Sequence, residues 1–482
     1  MFKKVNGSAV KVRSMLMASV AIGFWHGTVF AAPAMQSGSA PLKLALTSDQ
    51  VVSHPKAAPA APPIDALSPD MFGLRPWLNA HGIDMMLDET DEFATTISSY
   101  RNPTTNTGQY SWWTNIDWDK LAGIPGFSTH TIIVGRYGND SSHKIGDAVS
   151  SSQEIYGSGG NVAAHLVEAY GEESLFNNRV DVLLGIEPML WDFAGAYLQC
   201  SNFMNDALCG NPTIGYENGP YSVFPDWSYA ARIQISPTST TYIKAGLFYT
   251  QQNIYQVNHG FRSGFMFDGG QVKRPTIPVE LGWTPAFGVE ALPGHYKAGI
   301  IFDENVHPDD YYDINGNPWA QTGLPPREVK SAPSEYIMAD QMFVRNGPGP
   351  FNGLIGFASY WHDAANWFTV GVADHGFWAA RPDDGAAIGF VYAIMSPGVR
   401  KTEELQQKLG LPITGDAYGL PFNGNAVTGV QSTWPMLELQ YQIHVTRGIT
   451  VSPDFQYYFR PNAQSNLPPA AFVGFRTHIT LF

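Results

Sequence analysis

The sequence predicts an all-β protein, a transmembrane antiparallel β-barrel behind a flexible N-terminal leader. Three observations carry this prediction. The last fifty residues alternate apolar and polar side chains with a period of two. The N-terminus has the composition of an export signal. No later segment approaches the run of about 18 apolar residues that a spanning helix needs.

The alternation is clearest from Pro435, where Pro435, Leu437, Leu439, Tyr441, Ile443 and Val445 are separated by Met436, Glu438, Gln440, Gln442 and His444. After Arg447-Gly448 the row resumes as Ile449, Val451, Pro453, Phe455, Tyr457 and Phe459 against Thr450, Ser452, Asp454, Gln456, Tyr458 and Arg460. A third row, Ala471, Val473, Phe475, Thr477, Ile479 and Leu481, brings the chain to Phe482. A period of two is the signature of a strand with one apolar and one polar face. Strands of about ten residues, divided by turn residues and closing on an aromatic, suit a barrel with lipid outside and water inside.

The same two faces recur upstream, in Val180–Glu187, Tyr229–Ser236, Tyr242–Tyr249, Ile277–Thr284 and His295–Phe302. A charge on the lipid face near the midplane costs about 2–4 kcal/mol. Arg232, Lys244, Glu280, Lys297, Glu438, Asp454 and Arg476 are therefore expected to point into the lumen. In a soluble sandwich the same residues would form the solvated face, and the two readings part only on the whole chain. His130–Tyr137, Asn161–Tyr170 and Gly353–Trp361 are apolar on both faces, as expected for strands beside an inward-folded loop. Lys401–Leu409 reads as a short helix in a loop, with Glu404 and Lys408 at i,i+4 spacing. Asp303–Pro326 and Thr414–Asn425 read as Gly/Pro/Asn-rich loops.

Residues 1–31 carry Lys3, Lys4, Lys11 and Arg13, then an apolar stretch and small residues, the pattern of a secretory signal. Residues 32–68 form an Ala/Pro-rich leader, with A-A-P-A-A-P-P from Ala57 to Pro63, a composition that cannot bury a core. Residues 69–482 are then one barrel domain, since a chain this long exceeds a typical sandwich and closure removes its edges. Aromatics make up 13% of the chain, enough to supply interfacial girdles without long greasy spans.

The formal charge is −14, and the acid-free signal region leaves the remainder four units more negative. This disfavours nucleic acid, whose binding needs basic patches. Cys200 and Cys209 are the two cysteines. Export places them in an oxidising compartment, where a disulfide is expected against the alternative of two unpaired thiols. Two cysteines without nearby histidine cannot make a four-ligand zinc site. P-loop, H-E-x-x-H and G-x-S-x-G motifs are absent from the sequence, so a channel is expected rather than an enzyme, with no cofactor. Arg, Lys, carboxylate, amide and aromatic side chains along a wet lumen suit sugars, whose hydroxyls need bidentate partners.

Specific runs resemble a known family. They are Glu438 through Val451-Ser452-Pro453-Asp454-Phe455-Gln456-Tyr457 to Arg476-Thr477, Gln153-Glu154-Ile155-Tyr156-Gly157 with Ala169-Tyr170-Gly171-Glu172, and Cys200-Ser201-Asn202-Phe203 to Cys209-Gly210. From about Leu121 onward the chain is similar to carbohydrate-selective porins of the OprB type. The resemblance implies an outer-membrane barrel of about 16 strands that passes glucose and other small sugars. It also implies that Arg136, in Gly135-Arg136-Tyr137, lines the constriction. Two departures stand out: the family tends to have an arginine after Gly185, where this chain has Ile186-Glu187, and one extra residue leaves Phe482 off the alternation. The partners expected are small carbohydrates, outer-membrane lipid and the barrel-assembly machinery, and homo-oligomers are allowed. The alternatives are a general, sugar-acid or polyol porin, and a secreted β-rich lectin or glycosidase.

Overall fold

The computed structural model describes residues 65–156, 161–208, 221–250, 265, 267, 274–330, 332–347, 351–363, 365–413 and 427–482. Sixteen antiparallel strands close into a barrel. The first eight are β1 Ile83–Ser98, β2 Thr104–Asp117, β3 Phe127–Gly138, β4 Val162–Leu175, β5 Val180–Glu187, β6 Ser228–Ile235, β7 Thr241–Thr250 and β8 Thr276–Trp283. The others are β9 Leu292–Asp303, β10 Ser334–Arg345, β11 Gly353–His362, β12 Asn366–His375, β13 Gly385–Ile394, β14 Thr433–Thr446, β15 Ile449–Tyr458 and β16 Ala470–Thr480. Each strand pairs with its sequence neighbours, and β1 closes the ring on β16 with Phe93 opposite Phe475. Closure leaves no unpaired edge, the condition for a sheet to survive in hydrocarbon.

Burial follows the period of two. On β7, Tyr242, Lys244 and Phe248 are buried while Ile243 and Leu247 are exposed. On β6, Arg232 is 2% exposed and its neighbour Ile233 43%. The apolar rows thus lie outside the ring and the polar rows inside, the reverse of a sandwich with an oily core. A secreted soluble protein does not fit this arrangement.

Both ends of the described chain and the short connections, such as 176–179, 236–240 and 447–448, lie at one end of the barrel. The strand ends that flank the long connections, 139–161, 188–227, 251–275, 304–333 and 395–432, lie at the other. Short turns mark the periplasmic end of such barrels and long loops the extracellular end.

The last strand explains the off-pattern terminus. Leu481 and Phe482 both donate their N–H to the Leu87 carbonyl, at 2.9 and 3.5 Å, and Leu87 N–H returns a bond to Phe482 O at 3.1 Å. Two residues face one, which is a bulge at the seam.

Three expectations change. Asp303–Pro326, expected as loop, holds the strand Val306–Asp313, which pairs with Pro326–Lys330, and the short helix Trp319–Thr322. The Arg327–Asp309 ion pair at 2.8 Å crosses this hairpin, and neither partner signals a strand by period. The helix expected at Lys401–Leu409 begins earlier, at Pro397, because Ser396 caps Gly398 N–H and proline fits the first turn. Its Glu404 pairs with Arg400 at 2.9 Å. Leu67 and Ser68, in the stretch expected to be a flexible leader, are docked on the rim, with their N–H groups bonded to the carbonyls of Thr480 and Leu481. Thr414–Asn425 and Cys209 lie outside the described residues.

Candidate channel constriction

Residues 188–208, which follow β5, turn into the barrel instead of continuing outward. Met189, Leu190, Trp191 and Phe193 are consecutive or nearly so and all buried, a run that fits neither strand nor helix period. Phe193 packs edge-on against Phe248 of the wall, and Phe203 against Phe357, with ring centroids 5.7 Å apart in each case.

Charged wall residues hold this segment at two places. On one side, Arg232 reaches Asp192 at 3.2 Å and Glu172 at 3.0 Å. Lys244 binds Asp192 and Glu280, both at 3.1 Å. Glu280 accepts from Ala194 N–H at 2.9 Å and from the hydroxyls of Tyr242 and Tyr336, each at 2.7 Å. Lys297 donates to Gly195 O.

On the other side, Glu438 accepts from the backbone N–H of Met204 and Asn205. Asn205 donates to Gln456 Oε1 at 2.9 Å. Arg476 binds Glu92 at 2.8 Å, Glu154 at 3.3 Å, and the carbonyls of Cys200 at 3.0 Å and Phe203 at 2.6 Å. Asp454 accepts from Gln440 at 3.3 Å and Gln456 at 3.0 Å.

The first group of anchors stands on β6 to β9 and the second on β14 to β16 and β1. In a ring of sixteen these are opposite walls. The segment from Asp192 to Asn205 therefore crosses the lumen and narrows it. A second connection, 139–156, enters beside it: Gln456 donates to Ser152 O at 2.8 Å, and Gln153 Nε2 donates to Glu92 O.

The eight residues expected to line the lumen are all buried, none more than 8% exposed. Seven gather around the crossing segment. Arg136 donates to Gln109 at 2.6 Å, with its guanidinium 5.5 Å from the Phe224 ring centre, and is within electrostatic reach of Glu154 and Glu92, the carboxylates that bind Arg476. Cys200 is disulfide-bonded where the segment meets Arg476. The partners Asp192, Glu92 and Asn205 escaped sequence reading, and Glu154 and Glu172 were quoted only in runs that resemble the family, with no role assigned. The sole signal for Asp192 was its place in the aperiodic apolar run.

The model of the carbohydrate-selective porin, OprB family, matches residues 101–481. The chain belongs to this family. Porin B of Pseudomonas aeruginosa is 28% identical over 422 residues, covering 84% of this chain and 89% of that protein. The putative porin QuiX of Acinetobacter baylyi is 25% identical over 431 residues, 84% of this chain and 90% of its own. The high-pH structure of Pseudomonas putida OprB matches with a TM-score of 0.76 at 26% identity, over 85% of this chain and 97% of that one. This porin is thus an outer-membrane barrel, and its family match begins about twenty residues before the motifs at Leu121 onward.

Proposed function

We propose that this porin passes small neutral sugars by passive diffusion, and that the segment crossing the lumen sets its size limit and selectivity. The observation that carries the reading is the anchoring of Asp192–Asn205 to two opposite walls, by buried ion pairs at Asp192 and by hydrogen bonds of Glu438 and Arg476 with the backbone of Cys200–Asn205. In this reading Arg232, Lys244, Glu280, Lys297, Glu438, Asp454 and Arg476 act chiefly as anchors that hold the constriction's shape. Arg136, which donates to Gln109 rather than to the crossing segment, is the basic residue we assign to solute contact. A channel needs weak, distributed contacts so that the solute leaves as readily as it enters. A rigid, hydrogen-bonded aperture supplies that without one deep site.

We further assign residues 1–31 as the export signal, 32–68 as a leader whose last residues dock on the periplasmic rim, and Phe482 as the terminal aromatic read by the assembly machinery. Swelling of proteoliposomes in a panel of solutes tests the sugar reading. Glucose-sized sugars are expected to enter faster than sugar acids of equal mass. Equal rates for all small solutes would contradict selectivity and favour a general porin.

A further inference from the structure

The connection 139–156 is held as firmly as the crossing segment. Asp140, just past β3, is buried and closes the connection on itself. Its carboxylate accepts from the Ser142 hydroxyl at 2.7 Å, the Ser152 hydroxyl at 2.9 Å and Gln153 N–H at 3.2 Å. Other contacts reach the wall. Gln153 accepts from the Thr105 hydroxyl of β2 at 2.7 Å, Ile155 N–H donates to Glu92 of β1 at 3.3 Å, and Trp434 Nε1 of β14 donates to Asp147 at 2.8 Å. From β14 through β15, β16 and β1 to β2 the strands are consecutive in the ring. The connection therefore covers the arc of wall on which the far end of the crossing segment lands.

The two inward segments are also bonded to each other. Glu154 N–H donates to Met204 O at 2.8 Å and Asp206 N–H to Ser151 O at 2.9 Å, so 151–154 and 204–206 run side by side in opposite directions. Asn205 lies between these bonds, fully buried. Its Oδ1 accepts from the Ser150 hydroxyl at 3.2 Å and from Ala207 N–H at 2.9 Å. Its Nδ2 donates to Gln456 Oε1 at 2.9 Å and to the Tyr458 hydroxyl at 2.5 Å. The Ala207 N–H needs an acceptor, which fixes the end of the amide that is oxygen. Gln456, on β15, serves both segments: its Oε1 accepts from Asn205, and its Nε2 donates to Ser152 O at 2.8 Å. Arg476 adds a further tie, with Glu154 of one segment at 3.3 Å and Phe203 O of the other at 2.6 Å.

Apolar contact alone would let the two segments slide past each other. A buried network of directional bonds admits one relative placement. We propose that Asn205 and Gln456 are positioning residues that join the connections 139–156 and 188–208 into one body, so that both segments, and not the crossing segment alone, set which solutes pass. This rests on the reading of the crossing segment as the constriction. Both side chains are fully buried, so they act through the segments they hold. The chemistry calls for an amide at position 456. An amide carries a donor and an acceptor at a fixed separation, so it donates to one segment while it accepts from the other. A carboxylate of the same shape can accept from Asn205 but has no hydrogen for Ser152 O.

The test uses the full-length porin. Amide hydrogen exchange is read first, on the unsubstituted protein in detergent. Glu154 and Asp206 are expected to exchange as slowly as Asn205, whose N–H is held by Glu438. Exchange of Glu154 and Asp206 at the rate of open loops, beside a slow Asn205, would overturn the proposal. Gln456→Glu and Gln456→Met are then recorded in planar bilayers, the second variant separating the lost bond from the added charge. Both are expected to keep the folded band on an unheated gel, to raise the conductance step and to lose block at the glucose concentration that half-blocks the unsubstituted porin. Folded variants with unchanged steps and unchanged block would also overturn it. Where neither variant folds, the exchange rates decide. An unsubstituted porin that glucose leaves unblocked removes the transport reading, and the exchange rates still decide whether the two segments are one body.

Discussion

Arg476 shows what a single lumen residue does in this barrel. Its guanidinium binds two carboxylates and two carbonyls from the inward segments. Removing one partner of a buried charge cluster costs about 3–5 kcal/mol, mostly because the remaining charges are stranded. Arg476→Leu is expected to free Glu92 and Glu154, loosen the crossing segment, raise single-channel conductance and weaken sugar block. Adding Glu92→Gln should restore part of the lost stability, since the pair is coupled. Additive losses in a thermal scan would show that the two side chains act independently. Ile233, one residue from an anchor but on the oily face, calls for the opposite phenotype. Ile233→Lys places a cation against lipid at about 2–4 kcal/mol. Impaired assembly, read as loss of the folded band on an unheated gel, is expected. Normal assembly of Ile233→Lys would reverse the inside and outside assignments.

At the scale of elements, the rim at the short-turn end is held by the docked residues 65–68 and the β14–β15 turn. Asp65 binds His444 Nε2 at 3.0 Å and accepts from Gly448 N–H at 2.9 Å. Gly448 has φ +71°, and a Cβ there would come within 2.6 Å of Leu67 N. Gly448→Ala is expected to undock residues 65–68 and lower the unfolding midpoint, with conductance unchanged; an unchanged midpoint would argue that docking contributes nothing. Nearby, Asp384 lies in the connection 376–384, outside the spans. Burial opposes its ionisation, and bonds from Arg381, Tyr441 and His444 N–H outweigh that and hold its carboxyl below the usual range. A depressed acid stabilises the fold above its unfolded value, about pH 4, and that contribution disappears as pH falls through the lower folded value. The stability gap between the unsubstituted porin and Asp384→Asn should therefore be full at pH 7 and vanish in strong acid. A gap that persists in acid would mean that shape, not charge, matters at this position.

These elements also mark how far the sequence could be read. β14 and β15 were legible because lipid on one face and water on the other impose a period of two that each strand displays alone. The faces of Arg232 and Ile233 followed from the same rule. The destination of the inward charges was not legible. Glu438 and Met204 are 234 residues apart, and no local pattern links them. The crossing segment obeys packing inside the barrel, so it shows no period. β1 went unread as a strand because Glu89 and Asp91 interrupt the apolar row that identifies a lipid face.

On the scale of the whole molecule, closure and crossing act together. The ring satisfies the backbone in hydrocarbon, and the segment tied to opposite walls leaves a narrowed, hydrogen-bonded passage. The most direct measurement is planar-bilayer recording of the purified porin with rising glucose on one side. Discrete conductance steps that fall in a saturable way as glucose is added are the predicted result. Absence of steps, or steps that glucose leaves unchanged, would contradict a sugar-selective passage through this barrel.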